Sequence, residues 1–255
     1  MAARSLSLFA LSGLPLVQPG DDLAALLADA LARDALALRD GDVLVLAQKI
    51  VSKSEGRRVP LAGVEPSERA RELARQTGKD SRLVELVLRE SNEVVRHRRD
   101  VLVVEHRLGF VMANAGIDMS NVAQGDEAAA LLLPENPDAS CAALRGALRE
   151  RLGVDVGVVV NDSHGRAWRN GTVGVAIGVA GLPALLDLRG APDLFGRKLL
   201  ITEVGLADEI AAAASLLMGQ AGEGTPAVLL RGLPAGRRDG QARELIRPRQ
   251  LDMFR

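Results

Sequence analysis

The strongest constraint on the fold is an apolar run at residues 156–160 that is followed at once by the polar residues 161–165. A short apolar run is typical of a buried strand. The polar residues are expected where that strand ends, a common position for binding and catalytic groups in open α/β sheets. Arg166 and Arg169 come next. This concentration of polar and cationic groups favours an anionic ligand, and the alternative is a polar turn between two strands.

The rest of the chain alternates between helical and strand patterns. Capping residues and apolar spacing predict helices, the fourth capped by Asp138, at residues 21–33, 67–77, 81–90, 138–151 and 206–217. Apolar and β-branched runs predict strands at residues 43–47, 94–98, 101–105, 109–113, 199–202 and 226–230. The second, third and fourth of these form an antiparallel meander. The predicted fold class is therefore α+β, a mixed α/β fold with several antiparallel strands.

Composition and charge exclude several classes of function. A net charge of −1 gives no general attraction to nucleic acid or to an anionic membrane. Aromatic residues make up only 2% of the chain, which argues against base-stacking platforms. The single cysteine, Cys141, excludes an internal disulfide framework and a cysteine-rich zinc site. We expect Cys141 in the core, and His106 in a structural role.

Both chain termini allow a prediction. Gly13 and Pro15 interrupt the N-terminal apolar run at residues 6–17, so a first strand is a better interpretation than a signal peptide. No stretch is long and apolar enough to span a membrane, and we predict a cytoplasmic protein. The tail from Ala235 is polar and arginine-rich, and we expect it to be loose or bound to a partner.

Oxygen ligands and cations remain as candidates for chemistry. Asp118, Asp162, Ser163 and Gln220 carry the donors that hard cations such as Mg²⁺ and Mn²⁺ prefer. Lysines and a glycine-rich turn at residues 218–225 could meet phosphate oxygens. The chain lacks a P-loop, a dinucleotide-binding fingerprint and a nucleophile elbow. These residues indicate metal-assisted phosphate chemistry, although each carboxylate taken alone fits a turn former or a helix cap better than a metal ligand.

Six segments, in the same order, resemble those of the coenzyme F420-0:L-glutamate ligase family. They are LPLV (14–17), QKIVSKSEGR (48–57), ANAGIDMSN (113–121), NDSHGRAWR (161–169), TEVGLADEI (202–210) and MGQAGEGTP (218–226). The resemblance covers residues 6–232 and leaves out the arginine-rich tail. Ala167 stands where many family members have proline.

The resemblance implies a GTP-dependent ligase. Such an enzyme joins L-glutamate to the terminal carboxylate of coenzyme F420-0, a deazaflavin, and then adds further γ-linked glutamates. The reaction would pass through an acyl phosphate and release GDP and phosphate. The resemblance also implies a requirement for Mg²⁺ or Mn²⁺, with two ions expected, and a role for K⁺. The fold implied is a two-part α+β fold in an intertwined homodimer, with small molecules rather than nucleic acid or membrane as partners.

The resemblance divides residues 1–232, a single catalytic domain, from a tail at residues 233–255, with two interleaved subdomains as the alternative for the first part. By motif, Asp118 and Asp162 would hold the first metal, and Ser163 and Gln220 would help to hold the second. The residues that would line the GTP site are Leu14, Pro15, Leu16, Val17, Gln48, Lys49, Lys53, Asn121, Met218, Gly219, Gln220, Ala221, Gly222, Glu223, Gly224 and Thr225.

Two arginines complete the catalytic set of Asp118, Asp162, Arg166 and Arg169. Arginine binds phosphate and carboxylate in a bidentate manner, so Arg166 and Arg169 could clamp the substrate phosphodiester or the glutamate carboxylates. The alternative for both is ion pairing on the surface. Two other functions remain open for the chain, a ligase of the same mechanism with a different carboxylate acceptor and a GTP-binding module without catalysis.

Overall fold

The computed structural model describes residues 5–120, 128–234 and 238–254, and it confirms the predicted mixed α+β class. The helices and strands, in chain order, are β1 (Ser7–Ala10), α1 (Leu23–Arg33), β2 (Val43–Ala47), α2 (Gln48–Ser54), β3 (Arg58–Pro60), α3 (Glu68–Thr77), α4 (Ser81–Arg89), β4 (Ser91–Arg98), β5 (Val101–His106), β6 (Val111–Ala113), β7 (Ala129–Leu131), α5 (Pro137–Leu152), β8 (Gly157–Arg166), β9 (Arg169–Ala180), β10 (Leu186–Asp187), β11 (Glu203–Val204), α6 (Leu206–Met218) and β12 (Ala227–Arg231). No helix within these described ranges is long and apolar enough to cross a membrane.

A five-stranded sheet in the order β1-β12-β2-β8-β9 forms the centre of the molecule. β2 and β8 are parallel, and the other neighbours are antiparallel. Leu44 and Leu46 of β2 pack with α1 and α5 on one face, whereas Val43 and Val45 pack with α6 on the other. Because helices cover both faces, β2 reads in sequence as a continuous apolar run rather than an alternating one.

Helix α6 lies very close to the long hairpin of β8 and β9. A side chain at Gly174 of β9 would place its Cβ 2.6 Å from the carbonyl oxygen of Ala211 in α6. Only glycine allows this approach. The same contact region holds Asn161 of β8, whose Nδ2 donates to Ser215 Oγ at 3.1 Å. The position of α6 is therefore tied to the segment that carries the polar motif.

Helices α3 and α4 and the meander β4-β5-β6 form a second part with its own core, in which Leu73, Val84 and Leu102 pack together. Glu90, which follows α4, connects this part to the rest of the chain. Its Oε2 lies 3.1 Å from Arg57 Nη2 and 3.1 Å from Arg107 Nε.

Three local predictions are wrong. The polar residues after Val160 do not end the strand, because β8 continues to Arg166 and turns directly into β9. Residues 199–202 are not a strand, and the short strand in this region begins at Glu203. Helix α5 is capped by Asn136, whose Oδ1 accepts a hydrogen bond from Ala139 N at 3.2 Å, and not by Asp138.

Asp138 instead binds the edge strand of the central sheet. Backbone N–H groups of the edge strand β9, and of Gly181 just after it, donate to three aspartates from different parts of the chain. Asp208 Oδ1 accepts from Ala176 N at 2.9 Å, Asp138 Oδ1 from Val179 N at 2.8 Å, and Asp239 Oδ1 from Gly181 N at 2.6 Å. Occupied donors and negative charge prevent an edge strand from pairing with another chain. No local sequence pattern indicates this role.

The described part of the C-terminal tail is not loose. Asp239 forms an ion pair with Arg145 of α5 at 3.0 Å, and Ala242 is buried. Farther along, Arg249 Nη2 lies 3.0 Å from Glu93 Oε2 of β4. The tail therefore spans from the central sheet to the second part.

Candidate functional site

Four of the predicted site segments lie at one end of the central sheet, where β2 ends and β8 continues beyond it. The register pairs Ala227 of β12 with Leu46 of β2, and Ala47 of β2 with Asn161 of β8. Leu11, just after β1, donates its N–H to Ala227 O at 2.9 Å. The segments that adjoin these positions are residues 14–17, 48–49, 162–163 and 218–225. Sheet pairing thus gathers residues that lie about two hundred positions apart in the chain.

A fifth segment reaches the same end of the sheet through an ion pair. Lys49, in the first turn of α2, contacts Asp118 Oδ2, and the two side chains are 31% and 26% exposed. Ser120 Oγ donates to Asp118 Oδ1 at 2.8 Å, and the backbone of Asp118 bridges to Leu131. Asp118 is therefore held beside the end of β2, although it lies on a different part of the chain.

Strand alternation sends neighbouring residues of β8 to different partners. The Asp162 Oδ2 lies 3.1 Å from His164 Nε2, and both side chains are only 12% exposed. Ser163 Oγ donates to Gln220 Oε1 at 2.8 Å. Ser163 and Gln220, predicted to act as a pair, are thus in direct contact. The two aspartates have separate partners: Asp118 contacts Lys49, and Asp162 contacts His164.

The atoms that could bind a metal at this site are oxygens, and not sulfur atoms or a cluster of histidines. Across the described residues, no group of three or more His, Cys, Asp and Glu side chains is arranged to hold a metal. A metal at Asp118 or Asp162 would therefore be completed by hydroxyl, amide, water or ligand oxygens. Such a set suits Mg²⁺ or Mn²⁺, which usually keep water and substrate phosphates as ligands.

The turn at residues 218–225 already binds an anion of its own. Ala221 N donates to Glu223 Oε2 at 2.8 Å. Backbone N–H groups of Glu223, Ala221 and Gln220 lower the pKa of the Glu223 carboxyl. Gly219 and Gly224 have φ values of 69° and 71°, which glycine adopts readily. The backbone amides of this turn are therefore arranged around a carboxylate, as in anion-binding nests.

The other predicted GTP-site residues differ in their surroundings. Gln48 is buried and accepts from Ser52 Oγ at 2.9 Å, while its Nε2 has no hydrogen-bond partner among the described residues. Burial, followed by the nearby charge of Lys49, lowers the pKa of Lys53. Leu16 is 74% exposed. Asn121 lies outside the described residues.

The two arginines of the motif lie at the tip of the β8–β9 hairpin. Arg166 Nη2 donates to Asn170 O at 3.0 Å, and Arg169 is exposed. Between them, Trp168 has a φ of 62° and is 88% exposed. Neither arginine forms an ion pair with a residue in the described ranges, which does not favour the surface ion-pair alternative. Their role as a clamp stays a prediction.

Comparison with known proteins identifies the family. The family model for F420-0:Gamma-glutamyl ligase matches residues 13–232. The chain belongs to the F420-0:gamma-glutamyl ligase family. It is 50% identical to the coenzyme F420:L-glutamate ligase of Methanothermobacter thermautotrophicus over 252 residues, which cover 98% of this chain and 99% of that protein.

Two further family members confirm the extent of the similarity. The coenzyme F420:L-glutamate ligase of Methanopyrus kandleri is 50% identical over 94% of this chain and 93% of its own length. That of Archaeoglobus fulgidus is 44% identical over 97% of this chain and 95% of its own length. The family model covers all predicted site residues, and these relatives extend the similarity into the C-terminal tail.

The sequence predicted no role for two residues near Asp162, one inside the motif at residues 161–169 and one on α6. Asp208, at the start of α6, and His164 line one cavity. Asp208 belongs to the matched segment at residues 202–210, but no role was assigned to that segment. His106 and Cys141 have the structural surroundings predicted for them, since both are buried.

Proposed function

We propose that this protein is a GTP-dependent ligase that joins L-glutamate to the terminal carboxylate of coenzyme F420-0 and then adds further γ-linked glutamates. The observation that carries the proposal is the convergence of four segments at one end of the central sheet. They are residues 14–17, 48–49, 162–163 and 218–225. The names of the relatives supply the acceptor and the amino acid.

Chemistry explains the need for a nucleotide. A carboxylate does not react with an amine, because oxide would have to leave. In the proposed reaction a carboxylate oxygen of the acceptor attacks the γ-phosphorus of GTP, and the bond to GDP breaks. The amine of L-glutamate then attacks the acyl carbon, phosphate leaves with the bonding electrons, and the amine loses a proton. The charge on the triphosphate must be stabilised throughout.

The chain carries several groups suited to that charge. Lys49 and Lys53 are one turn apart on α2, which starts where β2 ends. The amides around the Glu223 carboxylate form a further anion site, from which the carboxylate would be displaced by phosphate. These groups would bind and orient the phosphates of GTP.

The oxygen donors fit a hard divalent metal. Asp118 and Asp162 would hold one ion, and the contact between Ser163 Oγ and Gln220 Oε1 supports these two residues as partners at a second. When bound, Mg²⁺ or Mn²⁺ would supply positive charge to the transferred phosphoryl group. Lys49 and His164, which contact the carboxylates, would have to give way or share them.

We also propose a homodimer. Residues 188–202, between β10 and β11, form a projecting segment that we call the arm. Leu194 and Phe195 at its tip are 97% and 95% exposed, and Ile201 is 87% exposed. Exposed apolar patches on a soluble domain mark interaction sites. A second copy of the chain is the partner that the family resemblance implies.

The decisive experiment uses the full-length protein with GTP, MnCl₂ or MgCl₂, KCl, L-glutamate and F420-0, and reads the product by mass spectrometry. We expect mass increases of one or more glutamyl units with equimolar GDP. Asp162→Ala should abolish them. Asp29→Ala, an exposed carboxylate on α1, is the matched control and should leave them unchanged.

The two competing functions give different results. Suppose that F420-0 is not glutamylated but GTP is hydrolysed when a different carboxylate substrate is added. This result would indicate a ligase of the same mechanism with a different acceptor. GTP binding without turnover in the presence of any acceptor would indicate a regulatory module.

A further inference from the structure

The C-terminal tail forms one wall of a cavity beside the polar motif. The cavity has a volume of about 330 Å³. One wall comes from the fold core, including Phe110, Val175 and Asp208, and the other comes from the tail, including Arg247 and Phe254. This volume is at the small end of the range for ligand sites, so the cavity suits a small molecule rather than a nucleotide.

Charges of both signs line this cavity. Asp208 accepts from Ala176 N at 2.9 Å through Oδ1, and burial raises the pKa of its carboxyl. Arg247 lies over the ring of Phe254, with its Cζ 5.9 Å from the ring centroid, and is paired with no carboxylate in the described parts of the chain. An arginine and a half-buried carboxylate in one small cavity are complementary to a zwitterion.

His164 connects the cavity to the candidate reaction site. It lines the cavity, its ring contacts Phe110 edge-on with centroids 6.4 Å apart, and its Nε2 lies 3.1 Å from Asp162 Oδ2. A ligand in the cavity would therefore lie next to Asp162, the carboxylate proposed to hold a metal ion beside the transferred phosphoryl group. That is where a nucleophile for an acyl phosphate is needed.

We propose that this cavity binds the amino-acid substrate, with Arg247 holding a carboxylate of the amino acid and Asp208 holding its ammonium group. The proposal rests on the proposed ligase function, which requires an amino-acid nucleophile but does not locate it. It assigns a role to the tail, which lies beyond the residues matched by the family model. Trp168 and Phe254, 6.1 Å apart between ring centroids, join the tail to the β8–β9 hairpin at the rim.

The test measures binding of L-glutamate by calorimetry to full-length protein loaded with Mn²⁺ and a non-hydrolysable GTP analogue. Arg247→Ala and Asp208→Asn should each weaken L-glutamate binding at least about tenfold, the loss of one charge-assisted hydrogen bond. The Kd of the GTP analogue should change less than about twofold. Arg249→Ala is the matched control, because Arg249 lies on the same tail but pairs with Glu93 outside the cavity.

Glutarate, which lacks the ammonium group, separates the two contacts. Unaltered protein should prefer L-glutamate to glutarate, Asp208→Asn should remove that preference, and Arg247→Lys should restore part of the affinity lost in Arg247→Ala. The proposal would be overturned if the unaltered and Arg247→Ala proteins bound L-glutamate with equal affinity. It would also be overturned if Arg247→Ala weakened the binding of F420-0 and not that of L-glutamate. Since Arg247 is exposed, Arg247→Ala should fold normally even if Asp208→Asn does not.

Failure of this inference can be told from failure of the proposed function. If the unaltered protein glutamylates F420-0 and the KM for L-glutamate is unchanged in Arg247→Ala, the ligase stands and the cavity assignment falls. If no glutamylation occurs, the calorimetric comparison of L-glutamate with glutarate still decides whether the cavity binds an amino acid.

Discussion

Lys49 forms an ion pair with Asp118, so the lysine proposed to bind phosphate neutralises a carboxylate proposed to bind metal. The side chains are 31% and 26% exposed, which leaves the pair accessible to ligands. In the same way, Glu223 occupies the amides proposed for phosphate. The site thus balances its own charges, and ligands must exchange partners within it.

We expect Lys49→Met to affect metal and nucleotide in opposite directions. Removal of the cation frees Asp118, so Mn²⁺ alone should bind more tightly. GTP should bind about 10- to 100-fold more weakly, because a charge-assisted contact to phosphate is lost. Electron paramagnetic resonance of free Mn²⁺ and calorimetry with GTP measure the two effects. Lys79→Met is the control, and unchanged GTP affinity in Lys49→Met would refute the phosphate role.

The contact between Ser163 and Gln220 predicts non-additive mutations. Ser163→Ala and Gln220→Ala should each weaken Mn²⁺ binding in the presence of GTP by about tenfold, since each removes an oxygen donor. The double variant should lose less than the product of the two factors, because the side chains contact each other at 2.8 Å. Additive losses in a double-mutant cycle of Mn²⁺ titrations would place the two residues at independent sites.

Glu90 predicts a pH-dependent contribution to stability. Burial raises the pKa of its carboxyl, but His106, Arg107 and Arg57 outweigh that effect and lower the pKa from 4.5 to about 2. Because the folded-state pKa lies below the unfolded value, the ionised carboxylate stabilises the fold above pH 4.5, and this stabilisation disappears as the pH falls towards about 2.

Urea unfolding of Glu90→Gln should accordingly show a loss of roughly 2 kcal/mol at pH 7, which narrows steadily between pH 4.5 and about pH 2. Glu72→Gln, which removes an exposed carboxylate of α3, is the control. Its free energy of unfolding should change little at pH 7 or at pH 3. A Glu90→Gln deficit that is equal at pH 7 and pH 3 would mean that packing, not charge, connects the two parts.

The arm predicts the oligomeric state. Replacing both Phe195 and Ile201 by serine should convert a dimer into monomers at micromolar concentration, because it removes exposed apolar surface that a second copy would bury. Sedimentation velocity measures the change. Leu216→Ser is the control, since Leu216 is 84% exposed but lies on α6. A double variant that remains dimeric would place the interface elsewhere.

Local sequence determined several elements almost to the residue. The strand predicted at residues 43–47 is β2, and Ser67 and Asp22 cap their helices with side chains that accept backbone N–H groups. These features depend on interactions within a few residues, so propensity and periodicity suffice to predict them. The resemblance likewise identified the family, because six ordered motifs need no three-dimensional information.

The motif at residues 161–165 shows where local reasoning stops. Its polar residues resemble a loop, yet β9 supplies a partner strand through Gly165 and beyond, so the backbone stays extended. Asp138 has the composition of a helix cap, but Asn136 takes that position and Asp138 binds the edge of β9. The pairing of β8 with β9 decided the first conformation, and a partner distant in sequence, Val179 of β9, decided the second.

The sequence by itself determined the class of fold, most helices and strands, the family and the set of residues suited to phosphate and metal. Only the tertiary structure decided which of these residues meet, namely Lys49 with Asp118 and Ser163 with Gln220. It also decided that the tail lines a cavity beside His164. The physical reason is that helix caps and apolar periodicity act over a few residues. Charge pairing and cavity formation depend on sheet register and helix packing between distant segments.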